Sequence, residues 1–174
     1  MSRFPDGTWL WVALDSQCLS LWSGARPWRS WPVATGAAGA GERRGSGATP
    51  RGWHRVRARI GAGAAPGTVF VARRPTGERW SPALEAQQPG RDWILTRILW
   101  LSGLERGRNR LGEVDTMRRF IYIHGCPDTA PLGRPVSHGC VRMRNEAVMA
   151  LFDLTPPRAP VWIGREAPPG PPPR

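Results

Sequence analysis

Two short peptides carry the residues that could do chemistry: Tyr122-Ile-His-Gly125, which closes an apolar run, and Ser137-His-Gly-Cys-Val-Arg142, which precedes a stretch of helical periodicity. They bring two histidines and a cysteine close together in the chain. A thiol is only a few per cent ionised at neutral pH, so an imidazole placed to take its proton makes it a far better nucleophile. Cys140 is the candidate nucleophile, because its Gly-containing turn lies just ahead of a helix, where backbone N–H groups favour a negative sulfur. His124, at the end of a buried strand, is the candidate general base. His138, two residues before the cysteine, has little freedom to swing onto the thiol and is placed to orient it. The N–H groups of Gly139 and Cys140 could form an oxyanion hole. Arg142 suits a substrate carboxylate or a tie on the loop. Ser137 and Tyr122 complete the candidate binding set, although alternation puts Tyr122 opposite Ile121 and Ile123, where core packing is its simplest use.

The same residues also read as two His-x-Cys pairs, His124 with Cys126 and His138 with Cys140, a ligand set that structural zinc accepts. Only one residue separates each pair, against the usual two to four, which makes chelation of one ion by both members awkward. No metal ligands are therefore assigned, and no cofactor is expected.

The elements that must position these residues are mostly strands. Thr8 to Leu14 and Cys18 to Trp22 flank Asp15-Ser16-Gln17 and predict a hairpin, with a third run from Trp28 to Thr35. The segment from Gly36 to Pro50 has no periodicity and reads as a loop. Trp53 to Ile60 alternates arginines with apolar residues, as a strand with one face toward solvent would, and His54 beside Trp53 reads as a surface or edge histidine. Thr68 to Ala72, Trp93 to Leu101, Phe120 to Ile123 and Val161 to Ile163 are further strands. Arg73 to Gly90, carrying Trp80, reads as a long connection that either covers the site as a lid or is a mobile excursion. Asn145 is the expected N-cap of a helix whose stripe is Val148, Leu151 and Phe152, stopped at Thr155-Pro156-Pro157.

Composition agrees with a mainly β fold in one domain. The chain has 174 residues, with Gly 21 and Pro 19 punctuating short apolar runs. Net charge is +12, and all 25 basic residues are Arg. They are scattered without a helical stripe, which argues against a nucleic-acid face. A basic non-enzymatic binding protein is the third alternative, resting on that charge and the ten Trp. Three cysteines leave at least one thiol unpaired. No apolar run in the first twenty residues reads as a signal peptide, and none elsewhere reads as a membrane span. Residues 165–174, mostly Pro with Gly and Arg, form a Pro-rich tail expected to be disordered.

Ile123-His-Gly125 followed by Ser137-His-Gly-Cys-Val-Arg142 resembles the catalytic signature of the L,D-transpeptidase (YkuD-like) family, and Thr49-Pro-Arg-Gly52 resembles that family's Thr-Pro-x-Gly segment. The resemblance implies a β-sandwich-like catalytic domain over residues 8–164 with one or two short helices. It further implies a monomer acting on peptidoglycan stem peptides, with Cys140 attacking the carbonyl of the third stem residue and His124 moving the proton. D-Alanine leaves, and the thioester is resolved by an amine of a second stem or by water. That activity belongs to the cell envelope or periplasm. Cys126 stands where the family often has Ser or Thr, and a Cys126–Cys140 disulfide that silences the enzyme under oxidising conditions is an expectation to test.

Overall fold

The computed structural model describes residues 4–173 and is mainly β, with ten strands in one mixed sheet and two helices. The predicted hairpin is β1 (Thr8–Ala13) and β2 (Cys18–Ser23), extended by β3 (Arg26–Pro32). The other strands are β4 (Gly52–Ile60), β5 (Thr68–Val71), β6 (Arg74–Arg79), β7 (Ile94–Gly103), β8 (Tyr122–Gly125), β9 (Val141–Met143) and β10 (Pro160–Gly164). Helix α1 spans Pro82–Gln87 and α2 spans Asn145–Leu154. The main path runs β3-β2-β1-β10-β4-β7-β5-β6, and β8 joins β7 to β9.

Beyond β3 the chain bridges back to β9: Ala34 exchanges backbone hydrogen bonds with Arg142, at 3.0 and 2.9 Å. The circuit β3-β2-β1-β10-β4-β7-β8-β9 therefore closes on itself through Ala34. This explains why residues far apart along the sheet, Leu10, Leu99, Ile123 and Val141, share one core cluster with Val148, Leu151 and Phe152 of α2. The helix stripe is buried as its periodicity predicts, and the Thr155 N–H and hydroxyl both donate to the Leu151 carbonyl at its end. A second cluster gathers Trp9, Trp53 and Trp162 with Phe4 and Trp22, Trp9 stacking on Phe4 and Trp22 while Trp53 and Trp162 meet at a tilt.

Four local expectations are corrected. Asn145 is not the N-cap: that position is Arg144, and the Asn145 side chain instead accepts from Thr96 Oγ1 at 2.6 Å and donates to the Cys126 carbonyl at 3.2 Å. The Arg73 to Gly90 connection is not a loop, because it holds β6 and α1. Trp80 packs against Val69, Trp93 and Leu95. His54 is not at the surface: it is fully buried, with ring nitrogens 3.0 Å from the Gly52 carbonyl and 3.0 Å from Thr116 Oγ1. β4 lies inside the sheet between β10 and β7, so Gly52 to His54 and Val56 are buried and Arg57 alone is exposed, and a bulge after Val56 breaks the simple alternation. Residues 165–173 hold no helix or strand, yet the Trp53 indole donates to the Gly170 carbonyl and the Trp162 indole to that of Glu166.

Candidate active site

β8 and β9 pair in parallel, Ile123 beside Val141 and His124 beside Arg142. Alternation does the rest. Ile123 and Val141 point into the main core, so Tyr122, His124, Cys140 and Arg142 share the opposite face. Cys140 thus stands level with Tyr122, one step from His124. The sulfur accepts from the Tyr122 N–H at 3.3 Å and is 3.4 Å from the Phe120 carbonyl.

His124 is fully buried, and its Nδ1 is 2.7 Å from the Gly125 carbonyl. A carbonyl can only accept, so Nδ1 carries the proton and Nε2 is left with a free lone pair. Nε2 has no hydrogen-bond partner among the described residues, although it is buried. Burial also lowers the His124 pKa, which keeps the ring neutral and able to take a proton. Burial pushes the Cys140 thiol up to about 12, against the smaller opposing effect of the Tyr122 N–H. Burial therefore favours the protonated sulfur at rest.

The turn that presents Cys140 is tied from both sides. Ser137 Oγ donates to the Cys140 carbonyl at 2.6 Å and accepts from the Gly139 N–H at 3.1 Å. Thr49 Oγ1 donates to the Gly139 carbonyl at 2.8 Å, which is where the Thr-Pro-Arg-Gly segment enters the site. Gly139 has φ +123 and lies against the Ala48 carbonyl, so a side chain there meets both strain and backbone. Of the two expected oxyanion donors, the Gly139 N–H is thus engaged by Ser137.

Around the sulfur lies a cleft of about 440 Å³ lined by Arg73, Asp92, Arg119, Phe120, Tyr122, His138 and Arg142 with Cys140. Arg142 donates to Asp92 Oδ1 at 2.9 Å, so its guanidinium is held rather than free. His138 is exposed and faces Asp92, 3.8 Å away, rather than the sulfur. Tyr122 is buried as core alternation requires, but its hydroxyl accepts from Arg73 at 2.9 Å on the cleft wall. Sequence reasoning missed Asp92, Arg73 and Arg119. Arg119 donates to the carbonyls of Gly41, Glu42 and Ala48, pinning the loop that carries Thr49. No spacing marks these residues, because each reaches the cleft from a different turn.

The zinc alternative does not survive this geometry. His124 Nδ1 is engaged at Gly125, the Cys126 thiol donates to the Met143 carbonyl at 3.1 Å, and His138 is at the surface. Among the described residues no three His, Cys, Asp or Glu side chains are gathered to hold a metal. The disulfide expectation fails as well. Cys126 lies four strand residues beyond the level of Cys140. At about 3.3 Å per residue that is far outside the roughly 4.4–6.8 Å Cα separation a disulfide spans.

A thiol and a buried imidazole with an open nitrogen thus share one sheet face beside the cleft. The profile of the L,D-transpeptidase catalytic domain (YkuD) matches residues 7–163, and the chain belongs to this family. A probable L,D-transpeptidase ErfK/SrfK of Salmonella typhimurium is 28% identical over 100 residues, covering 51% of this chain and 32% of the relative. An L,D-transpeptidase from Mycobacterium smegmatis superposes with a TM-score of 0.57 at 16% identity, covering 92% of this chain and 59% of the other. One from Xylanimonas cellulosilytica gives 0.54 at 22% identity, covering 92% and 62%. The chain thus spans about a third of the curated relative and about three fifths of these two solved chains.

Proposed function

We propose that the protein is a cysteine-dependent L,D-transpeptidase acting on peptidoglycan stem peptides in the cell envelope. The observation that carries this is the buried His124, tied at Nδ1 and open at Nε2, on the same sheet face as the adjacent Cys140 sulfur. Nε2 takes the thiol proton as sulfur attacks the carbonyl carbon of the third stem residue. The Cys140 N–H meets the oxygen that becomes negative, and no reorganisation is needed because the turn is already clamped by Ser137 and Thr49. The C–N bond then breaks, the imidazolium returns its proton to the departing amine of D-alanine, and a thioester remains. An amine of a second stem attacks that thioester and gives up its proton through His124, forming a cross-link and restoring the thiol. Water in its place gives carboxypeptidase cleavage.

The setting supports stem peptides as substrate. The cleft is of a size that takes a peptide segment. A second hollow of about 470 Å³, lined by Trp93, Arg91, Pro127 and Thr129, shares Arg142 with it and offers room for the acceptor strand. Arg73 and Arg119 give the first hollow a positive wall suited to carboxylates. His138 contributes to the rim and orients rather than transfers protons.

The test is a disaccharide-tetrapeptide or free tetrapeptide incubated with wild type, Cys140→Ala and His124→Gln. Free D-alanine and a hydroxylamine-sensitive acyl-enzyme are expected from wild type alone. D-Alanine release by Cys140→Ala at the wild-type rate would overturn the proposal.

A further inference from the structure

The smaller hollow beyond the Met117–Phe120 segment takes no part in the reaction above. β4 and β7 form its floor: Arg55 is opposite Ser102 in the antiparallel ladder, so both side chains leave the same face. Arg57 follows on that face, its guanidinium 5.7 Å from the Trp100 ring centroid. Arg110 and Arg118 come from the loop after β7. That loop is held firmly. The Glu105 carbonyl accepts from the N–H groups of Arg108, Asn109 and Arg110, and the buried Asn109 amide donates to the carbonyls of Arg51 and Trp53. The hollow measures about 160 Å³, well below the roughly 300–1,000 Å³ of pockets for drug-sized ligands, and matches a single small polar group.

Two independent observations point to an anion. First, none of the four arginine side chains makes an ion pair among the described residues. The acid on the wall, Asp115, has its oxygens engaged by the backbone N–H groups of Leu111 and Arg118, at 2.7 and 3.0 Å. Second, Ser102 lines the hollow at only 9% exposure, and its Oγ is buried with no hydrogen-bond partner among the described residues. A buried hydroxyl left unpaired is costly, and an oxyanion in the hollow would accept from it. Burial, and then the charges of Arg158, Arg110 and Arg57, hold the Arg55 guanidinium below its ordinary pKa, a repulsion that a bound anion relieves.

We propose that this hollow binds a phosphate group, with Arg55, Arg57, Arg110 and Arg118 as charged N–H donors and Ser102 as the hydroxyl donor. Four guanidinium groups facing one carboxylate favour a group carrying about two negative charges over a single carboxylate. Its sources are free phosphate and a lipid phosphomonoester headgroup.

The experiment is calorimetric titration of the full chain with inorganic phosphate at constant ionic strength, with acetate as comparison. Wild type, Ser102→Ala, Arg110→Gln, Arg110→Lys and Arg29→Gln are compared, Arg29 being exposed on β3 and equal in charge. One site is expected, weakened about tenfold or more in Arg110→Gln, less in Arg110→Lys and Ser102→Ala, and unchanged in Arg29→Gln. Acylation of Cys140 stays at the wild-type rate in all of them, which shows that they fold. Phosphatidylcholine vesicles carrying phosphatidic acid or phosphatidylserine then separate the sources. Retention by phosphatidic acid that Arg110→Gln removes assigns the lipid headgroup, and saturation by free phosphate alone assigns the soluble ion. Phosphate binding no tighter than acetate, or equal weakening by Arg29→Gln and Arg110→Gln, overturns the site.

Discussion

At the residue scale, the proposed chemistry depends on two groups whose burial favours the neutral form of each. The Cys140 thiol is raised from 9 to about 12 and the His124 imidazole is lowered from 6.5, so proton transfer between them precedes or accompanies attack. Acylation should hold level from pH 9 down to 6.5 and fall only below the ordinary imidazole value, as the ring takes a proton. A stopped-flow pH profile checks this. A rise with its midpoint near 9 would instead show an ordinary thiol ionising alone. His124→Gln should slow acylation by about 10²–10⁴-fold, and His138→Ala by less than about tenfold, because the exposed ring faces Asp92.

His54 makes a separate prediction about stability. Burial lowers its pKa from 6.5 to about 4, so below pH 6.5 the unfolded chain binds a proton that the folded chain refuses. Stability is therefore present above the unfolded value and is lost as pH falls. Between pH 7 and pH 5 this group alone should cost about 2 kcal/mol, with His124 adding to the loss. Urea unfolding at the two pH values measures it, and His54→Gln should show the smaller decline. Equal declines would mean that His54 titrates normally.

At the scale of elements, the parallel β8–β9 pair decides which side chains meet. Gly125 sits where a Cβ would strike the Leu95 carbonyl and Asn145 Oδ1. Gly125→Ala must push β8 off β7 or displace the Asn145 side chain from Thr96, and should cost about 1–3 kcal/mol along with most of the acylation rate. Chemical unfolding and the acylation assay report the two effects. Wild-type values in both would show that β8 can shift freely. The motif residues were legible because their order fixes their face: once Ile123 and Val141 are core, Tyr122, His124 and Cys140 must share the other side. Asn145 was misread because its side chain found buried partners at Thr96 and Cys126, stronger claims than a cap. His54 was misread because nothing in the sequence shows that β4 is covered by the Arg106–Thr116 segment. Arg73, Asp92 and Arg119 had no local signal, since long-range closure alone brings their turns to one cleft.

At the scale of the whole molecule, the sheet closes through Ala34 and Arg142, which ties the hairpin at the start of the chain to the strand that carries the site. The Trp cluster on the face of the sheet away from the main core anchors the adjacent strands β1, β10 and β4 together. Trp9 is fully buried there, and Trp9→Ala should cost about 3–5 kcal/mol with little change in the acylation rate of the protein that remains folded. Among the described residues no helix is long and apolar enough to cross a membrane.

The central claim is that Cys140 is an acyl-accepting thiol driven by His124, and intact-protein mass spectrometry after exposure to a carbapenem tests it most directly. A carbapenem presents a strained acyl carbonyl that an activated thiol opens without loss of mass. Wild type should gain one carbapenem, unaffected by prior chelation, while Cys140→Ala gains none and His124→Gln gains it far more slowly. An adduct of equal yield in Cys140→Ala, or no adduct on the fully reduced wild type, would contradict the claim.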